Sequence, residues 1–250
     1  MARRSFAISL LPAICVVILT VAWALVTTAS WAAGDGIRLF NGANLDGFDT
    51  FLTSKGLNHD PGKVFQVHDG MLHISGAEYG YVITKEEYEN YHLKAEFKWG
   101  EATHPPRAGQ ARDSGILFHA TGPNQVWPAS IEFQMIEGGT GDIIGVGESR
   151  LTVKGVYGRR FDRFGKSPIL DRSTYVAGYR DPKMEYEKPR GEWNVLELVA
   201  DGDTIKYIVN GKVANEGTGA NRTRGKILFQ SEGAEVYFRN IELRPLRRGK

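Results

Sequence analysis

The stretch IEFQMIEGG, Ile131 to Gly139, sets two glutamates, Glu132 and Glu137, either side of Gln134 in an otherwise apolar run. Carboxylates of this kind can act as general bases, as nucleophiles or as metal ligands. On a strand, alternate side chains share a face, so Ile131, Phe133 and Met135 form one set and Glu132, Gln134 and Ile136 the other. Glu137 falls an odd number of places from Glu132 and joins it only through a bulge; otherwise it is a charge at a strand end. DSGILFHA turns Leu117 and His119 outward by the same rule, and KILFQSEG turns out Leu228, Gln230 and Glu232.

Glu132, His119 and Glu232 are therefore the candidate catalytic groups, with Gln134 and Gln230 as polar neighbours that suit sugar hydroxyls, which need both donors and acceptors. His119 as a strand-end cap and Glu232 as a turn residue are the plain alternatives. Trp127, in PNQVWPAS, and Tyr81 and Tyr157 are the aromatics available to stack on a ring. The same three groups, Glu132, His119 and Glu232, are the candidate ligands for a divalent metal ion. The scattered histidines show no His-x-His or HExxH spacing, so the metal stays an unknown.

The elements that must position these groups read as strands. YHLKAEFKW alternates, with Leu93, Ala95, Phe97 and Trp99 on one face, Trp99 thus being assigned to the core. Asp69-Gly70, Asp201-Gly202 and Asn210-Gly211 are turn signals between alternating runs. TKEEYENY, Thr84 to Tyr91, has room for one helical turn or two. Recurring strands without crossover helices predict an antiparallel β-sandwich. The irregular stretches Gly100 to Arg112 and Gly158 to Gly191 are long enough to cover or rim a site.

Arg3 and Arg4, an uncharged run from Ser5 to Ser30 and a small-residue exit describe a secretory leader over residues 1–32, with cleavage near Ala32 or Ala33. An uncleaved membrane anchor is the alternative. RRSF matches only a short part of a twin-arginine signal. The expected location is secreted or periplasmic, with a single domain over residues 35–247. Cleavage removes Cys15, the single cysteine, so neither a disulfide framework nor a thiol nucleophile is expected. It also removes two arginines and takes the formal charge from +2 to 0, which offers no nucleic-acid surface. The basic RPLRRGK end reads as a solvated tail.

IRLFNGANLDGF (Ile37 to Phe48), GYVITKEEYENYHLKAEFKW, DSGILFH, IEFQMIE, GEWNVLELVADGDTIKYIVNGK and GKILFQSEGAEVYFRNIELRPL together resemble the 3-keto-disaccharide hydrolase domain family, in the expected order over nearly the whole mature chain. The resemblance implies a concanavalin-like jelly-roll sandwich and a small carbohydrate substrate oxidised to a ketone at C3 of a glucosyl unit. It implies removal of the C2 proton, departure of the C1 substituent and addition of water, with Glu132 as base or metal ligand. His119 and Gln134 would polarise or orient the ketone, while Gln230 and Glu232 hold the sugar or assist departure. The family often has arginine where this chain has His119, and histidine where it has Glu232.

Two other readings start from the same residues. Glu132, Gln134 and Glu137 share the Glu-x-Asp-x-x-Glu spacing of laminarinase-type retaining endo-glucanases, with the middle acid replaced by an amide. That mechanism needs two carboxyl groups about 5–5.5 Å apart. A carbohydrate-binding, lectin-like domain without catalysis is the other, since jelly-roll sandwiches host both.

Overall fold

The computed structural model describes residues 36–163 and 185–246; the expected leader, the last four residues of the basic tail and part of the Gly158 to Gly191 stretch lie outside them. Alternating side chains produce two antiparallel sheets packed face to face. The first runs, in spatial order, β16 (Lys212–Gly217), β15 (Thr204–Val209), β14 (Asn194–Asp201), β7 (Tyr91–Thr103), β18 (Ala234–Pro245), β5 (Met71–Ile74) and β4 (Phe65–His68), with β1 (Ile37–Arg38) also paired to β18. The second runs β13 (Arg160–Phe161), β10 (Ile143–Val146), β9 (Ala129–Ile136), β8 (Asp113–Thr121), β17 (Lys226–Ser231), β6 (Gly80–Thr84), β2 (Phe48–Leu52) and β3 (Gly56–Leu57). β11 (Leu151–Val153) and β12 (Val156–Gly158) form a separate ribbon.

Turn chemistry and alternation explain the order. Asp69 and Gly70, both with positive φ, close the β4–β5 hairpin, and Asn210 and Gly211 close β15 onto β16. Such turns need left-handed residues, which glycine and asparagine adopt at least cost. The one or two helical turns for which Thr84 to Tyr91 has room do not form. Instead Tyr88 and Gly225 exchange backbone hydrogen bonds at 2.8 and 3.2 Å, because extended pairing satisfies those groups and leaves Tyr88 packed on the core.

Leu93, Ala95, Phe97 and Trp99 of β7 face Ile116, Phe118, Ile131, Phe133 and Phe229 of the second sheet in one buried core. Phe133 stacks on Tyr207 at 4.1 Å, and Phe229 meets Phe238 at 5.0 Å, so rings from both sheets interlock. Burying each ring contributes about 1.5–3 kcal/mol. This core is the platform that leaves the opposite face of the second sheet for chemistry.

Candidate functional site

The outer face of the second sheet is where the polar alternates of β9, β8 and β17 emerge. The registers pair Glu132 with Leu117, Leu117 with Leu228, and Leu228 with Ile83, making one row across four strands. Gln134 lies beside Gly115, and Gln230 beside Tyr81, which in turn pairs with Phe51. Continuing the β8–β17 register places Gln230 next to Gly115 and Glu232 next to Asp113. Two polar rows thus end a face whose remainder is apolar: Tyr81, Ile83, Leu117, Ala120 and Leu228 are buried there under Phe51, Trp127 and Val146.

Gly115 is the local device that lets the polar groups meet. A Cβ built on it would lie 2.7 Å from Glu132 Oε1 and closer still to Gln230 Oε1. Both side chains occupy the volume a larger residue would take. Glu132 is 4% exposed and Gln230 1%. Gln134 Nε2 donates to Asp113 Oδ1 at 2.7 Å, which fixes the amide, and its Oε1 is buried without a hydrogen-bond partner, as is that of Gln230. Buried acceptors of this kind call for a ligand that donates, as sugar hydroxyls do.

Beyond Gly115 the next row is ionic. Arg107, from the β7–β8 connection, forms ion pairs with Asp113 and, at 3.4 Å, with Glu232, both through Nη2. Burial opposes the guanidinium charge, but Asp113 and Glu232 outweigh it and raise the arginine pKa. The Tyr79 phenol reaches the same arginine and is raised by burial and then by the Glu232 charge. Tyr79 also stacks on Trp127 at 6.1 Å, so the loop carrying Trp127 walls this end of the face. The connection itself is tied down by His104 N donating to Gly233 O at 2.8 Å.

The structure brings together Glu132, Gln134 and Gln230, places Glu232 in the adjoining row, and sets Trp127 and Tyr81 along the same face. Two expected members are elsewhere. His119 is not outward: β8 carries one extra residue against both β9 and β17, and His119 occupies that bulge with φ 52°. The bulge turns His119 inward, fully buried, with its ring against Phe118 at 5.0 Å and Tyr91 at 5.7 Å and Nδ1 at 3.1 Å from Arg222 O. Burial lowers its pKa to about 4. Ala120 takes the outward place. Gly225 allows the bulge, since a Cβ there would lie 2.5 Å from the His119 carbonyl carbon. Tyr157 lies elsewhere too: it sits on the β11–β12 ribbon, 60% exposed, paired with Thr152.

Glu137 does not rejoin Glu132. β9 keeps an unbroken ladder to β8 from Ile131 to Ile136, so no bulge intervenes. Glu137 instead pairs with Arg112 and Arg190, each at 3.2 Å, at the strand end. The expected metal ligands do not form a set either, because His119 points into the core while Glu132 and Glu232 point outward; no group of three His, Cys, Asp or Glu among the described residues could hold a metal ion. A cavity of about 590 Å³ lies apart from these groups, along β16 and the ribbon, lined by Lys154, Arg163, Tyr186, Asn215 and Glu216 among others.

Asp113, Arg107 and Tyr79 were missed from sequence. Asp113 shares the outward parity of Leu117 and so was within reach of the alternation rule. Arg107 lies within the irregular stretch expected to rim a site, but nothing in its neighbours singles it out. Tyr79 lies just ahead of β6, where alternation continues from Tyr81.

Residues 35–244 match the family model described as the 3-keto-alpha-glucoside-1,2-lyase-like domain. Two solved structures of candidate glycosyl hydrolases from Parabacteroides distasonis are similar. One has 23% identity and a TM-score of 0.56 over 85% of this chain and 94% of the other. The second has 21% identity and a TM-score of 0.53 over 85% and 100%. A carbohydrate-binding module from Bacillus subtilis aligns with 8% identity and a TM-score of 0.51 over 79% and 95%. At these identities the likeness establishes the jelly-roll sandwich. No curated protein matches the chain.

Proposed function

The chain belongs to the 3-keto-alpha-glucoside-1,2-lyase-like domain family, and from that premise we propose that it cleaves the glycosidic bond of 3-keto-glucosides, outside the cytoplasm, by elimination and rehydration. The observation that carries the reading is the separation of carboxylates. Glu132 stands over Gly115 beside Gln230, Asp113 and Glu232 lie one row further along with Arg107, and Glu137 lies at the strand end with Arg112 and Arg190. One working base suits proton abstraction next to a ketone better than the paired carboxylates of a retaining glycosidase.

A C3 ketone acidifies the C2 hydrogen. Glu132 takes that proton, the electron pair moves into an enolate, and its collapse expels the C1 oxygen substituent as C1=C2 forms. Water protonates the leaving oxygen and adds its hydroxyl to C1, while Glu132 returns its proton to C2. The balance is one glycoside and one water to one alcohol and 3-ketoglucose. Gln134 and Gln230 would accept from ring hydroxyls, and Trp127 with Tyr79 would offer an aromatic wall to the sugar.

The test is release of 3-ketoglucose from a 3-keto-disaccharide, with and without chelator, by wild type and by Glu132→Gln. Removing the base is expected to lower kcat by about 10²–10⁴-fold. An unoxidised disaccharide should be inert. Equal rates for both proteins would sink the catalytic reading in favour of carbohydrate binding, which the buried amide acceptors would also serve.

A further inference from the structure

We infer that Arg107 is a catalytic residue: its guanidinium donates to the C3 oxygen of the substrate as the enolate forms. This rests on the reading of Glu132 as the base. Elimination needs a donor that strengthens its hold as charge grows on that oxygen. His119, expected in this role, is turned into the core. Beside the Glu132 row, among the described residues, Arg107 reaches across the sheet, bridging Asp113 on β8 to Glu232 after β17.

The spacing suits one sugar ring. Glu132 Oε1 lies at Gly115, and Arg107 sits at Asp113, two residues back along the same strand. Two strand residues span about 6.8 Å. A base must approach C2 and a donor O3, each at about 2.6–3.2 Å. C2 and O3 are separated by C3 alone, so a keto-pyranose lying along β8 can meet both groups at once. Gln134, fixed by Asp113, lies alongside the same span.

Orientation and cost agree. Both ion pairs use Nη2 and Tyr79 makes a further hydrogen bond, whereas a guanidinium carries five N–H donors in a planar fork, so donors remain for a substrate oxygen. The two carboxylates hold the fork in place before substrate arrives, so little reorganisation is needed during reaction. They also offset part of its charge, which places the contribution at the lower end of the range for a preorganised donor.

The experiment uses the full chain with Arg107→Lys, which keeps the charge and loses the fork. The kcat for a 3-keto-disaccharide is expected to fall about 10²-fold while KM changes little. Alongside it, a 3-keto C-glycoside, whose C1 carbon substituent cannot leave, is bound and its carbonyl infrared stretch recorded. Wild type should lower the stretch relative to solution, and Arg107→Lys should largely restore it. A folded Arg107→Lys with wild-type kcat overturns the inference. So does an unshifted carbonyl in wild type, a measurement that stands even where the variant does not fold. Absence of any turnover by wild type, with the carbonyl still polarised, would strike the elimination reading and leave the arginine contact standing.

Discussion

Glu132 and Gln230 lie on β9 and β17, two strands that never pair, yet their side-chain oxygens converge above Gly115 on the strand between them. The meeting exists only because β8 has no side chain there. Gly115→Ala would push a methyl group into both flexible ends rather than into backbone. The expected result is a loss of activity of 10-fold or more, on the order of one strong contact, with a stability change under about 1 kcal/mol. Full activity in Gly115→Ala, measured with 3-ketoglucose release, would mean that the two groups do not act together.

Glu137 offers the opposite test. It is bound to Arg112 and Arg190, and its own N–H donates to Arg112 O at 2.9 Å. Glu137→Gln should lower stability by about 1.5–3 kcal/mol, the range for a charge-assisted hydrogen bond, and leave kcat within a few-fold. Urea unfolding and turnover separate the two. A collapse of activity with unchanged stability would revive the two-carboxylate mechanism.

Two buried groups predict the pH dependence of stability. Glu187, bonded to Thr140 and Gly138, is pushed up to about 8 by burial and by the neighbouring Glu185. From 4.5 to about 8 the native state keeps a proton that the unfolded chain has released, so stability falls as pH rises, by up to about 1.4 kcal/mol per unit. His119 works in the other direction. Between about 4 and 6.5 the unfolded chain binds a proton that the native state refuses, so stability falls as pH falls. The two slopes oppose each other from 4.5 to 6.5, and Glu187 acts alone from 6.5 to about 8. Glu187→Gln should flatten the thermal midpoint across that upper window; a midpoint that tracks wild type there rules the effect out.

Much of this face was legible as period-two alternation. Glu132, Gln134 and Gln230 project where their parity puts them, because β9 and β17 are regular around them and a one-residue slip would bury the wrong set. Trp99 is in the core for the same reason. His119 defeated the rule because a bulge depends on how β8 is paired on both sides, which its own residues do not announce. Arg107 depends on a connection folding back over strands far along the chain. Tyr157 follows the right strands in sequence, but the ribbon that carries it pairs Tyr157 with Thr152, away from them.

The bulge has one further consequence. On β8, Phe118 to Thr121 spans three steps, while β9 opposite it spans two, from Ile131 to Ala129. β17 shows the same mismatch, Leu117 to Ala120 against Leu228 to Lys226. Both neighbours therefore agree on a single surplus residue. Deleting His119 would bring the strand back into step with both at once, leaving Phe118 inward and Ala120 outward as they are now. His119 is thus a one-residue spacer between the Gly115 end of β8 and the loop that carries Trp127, and that connection can be shortened by one residue without changing the inward or outward parity on either side.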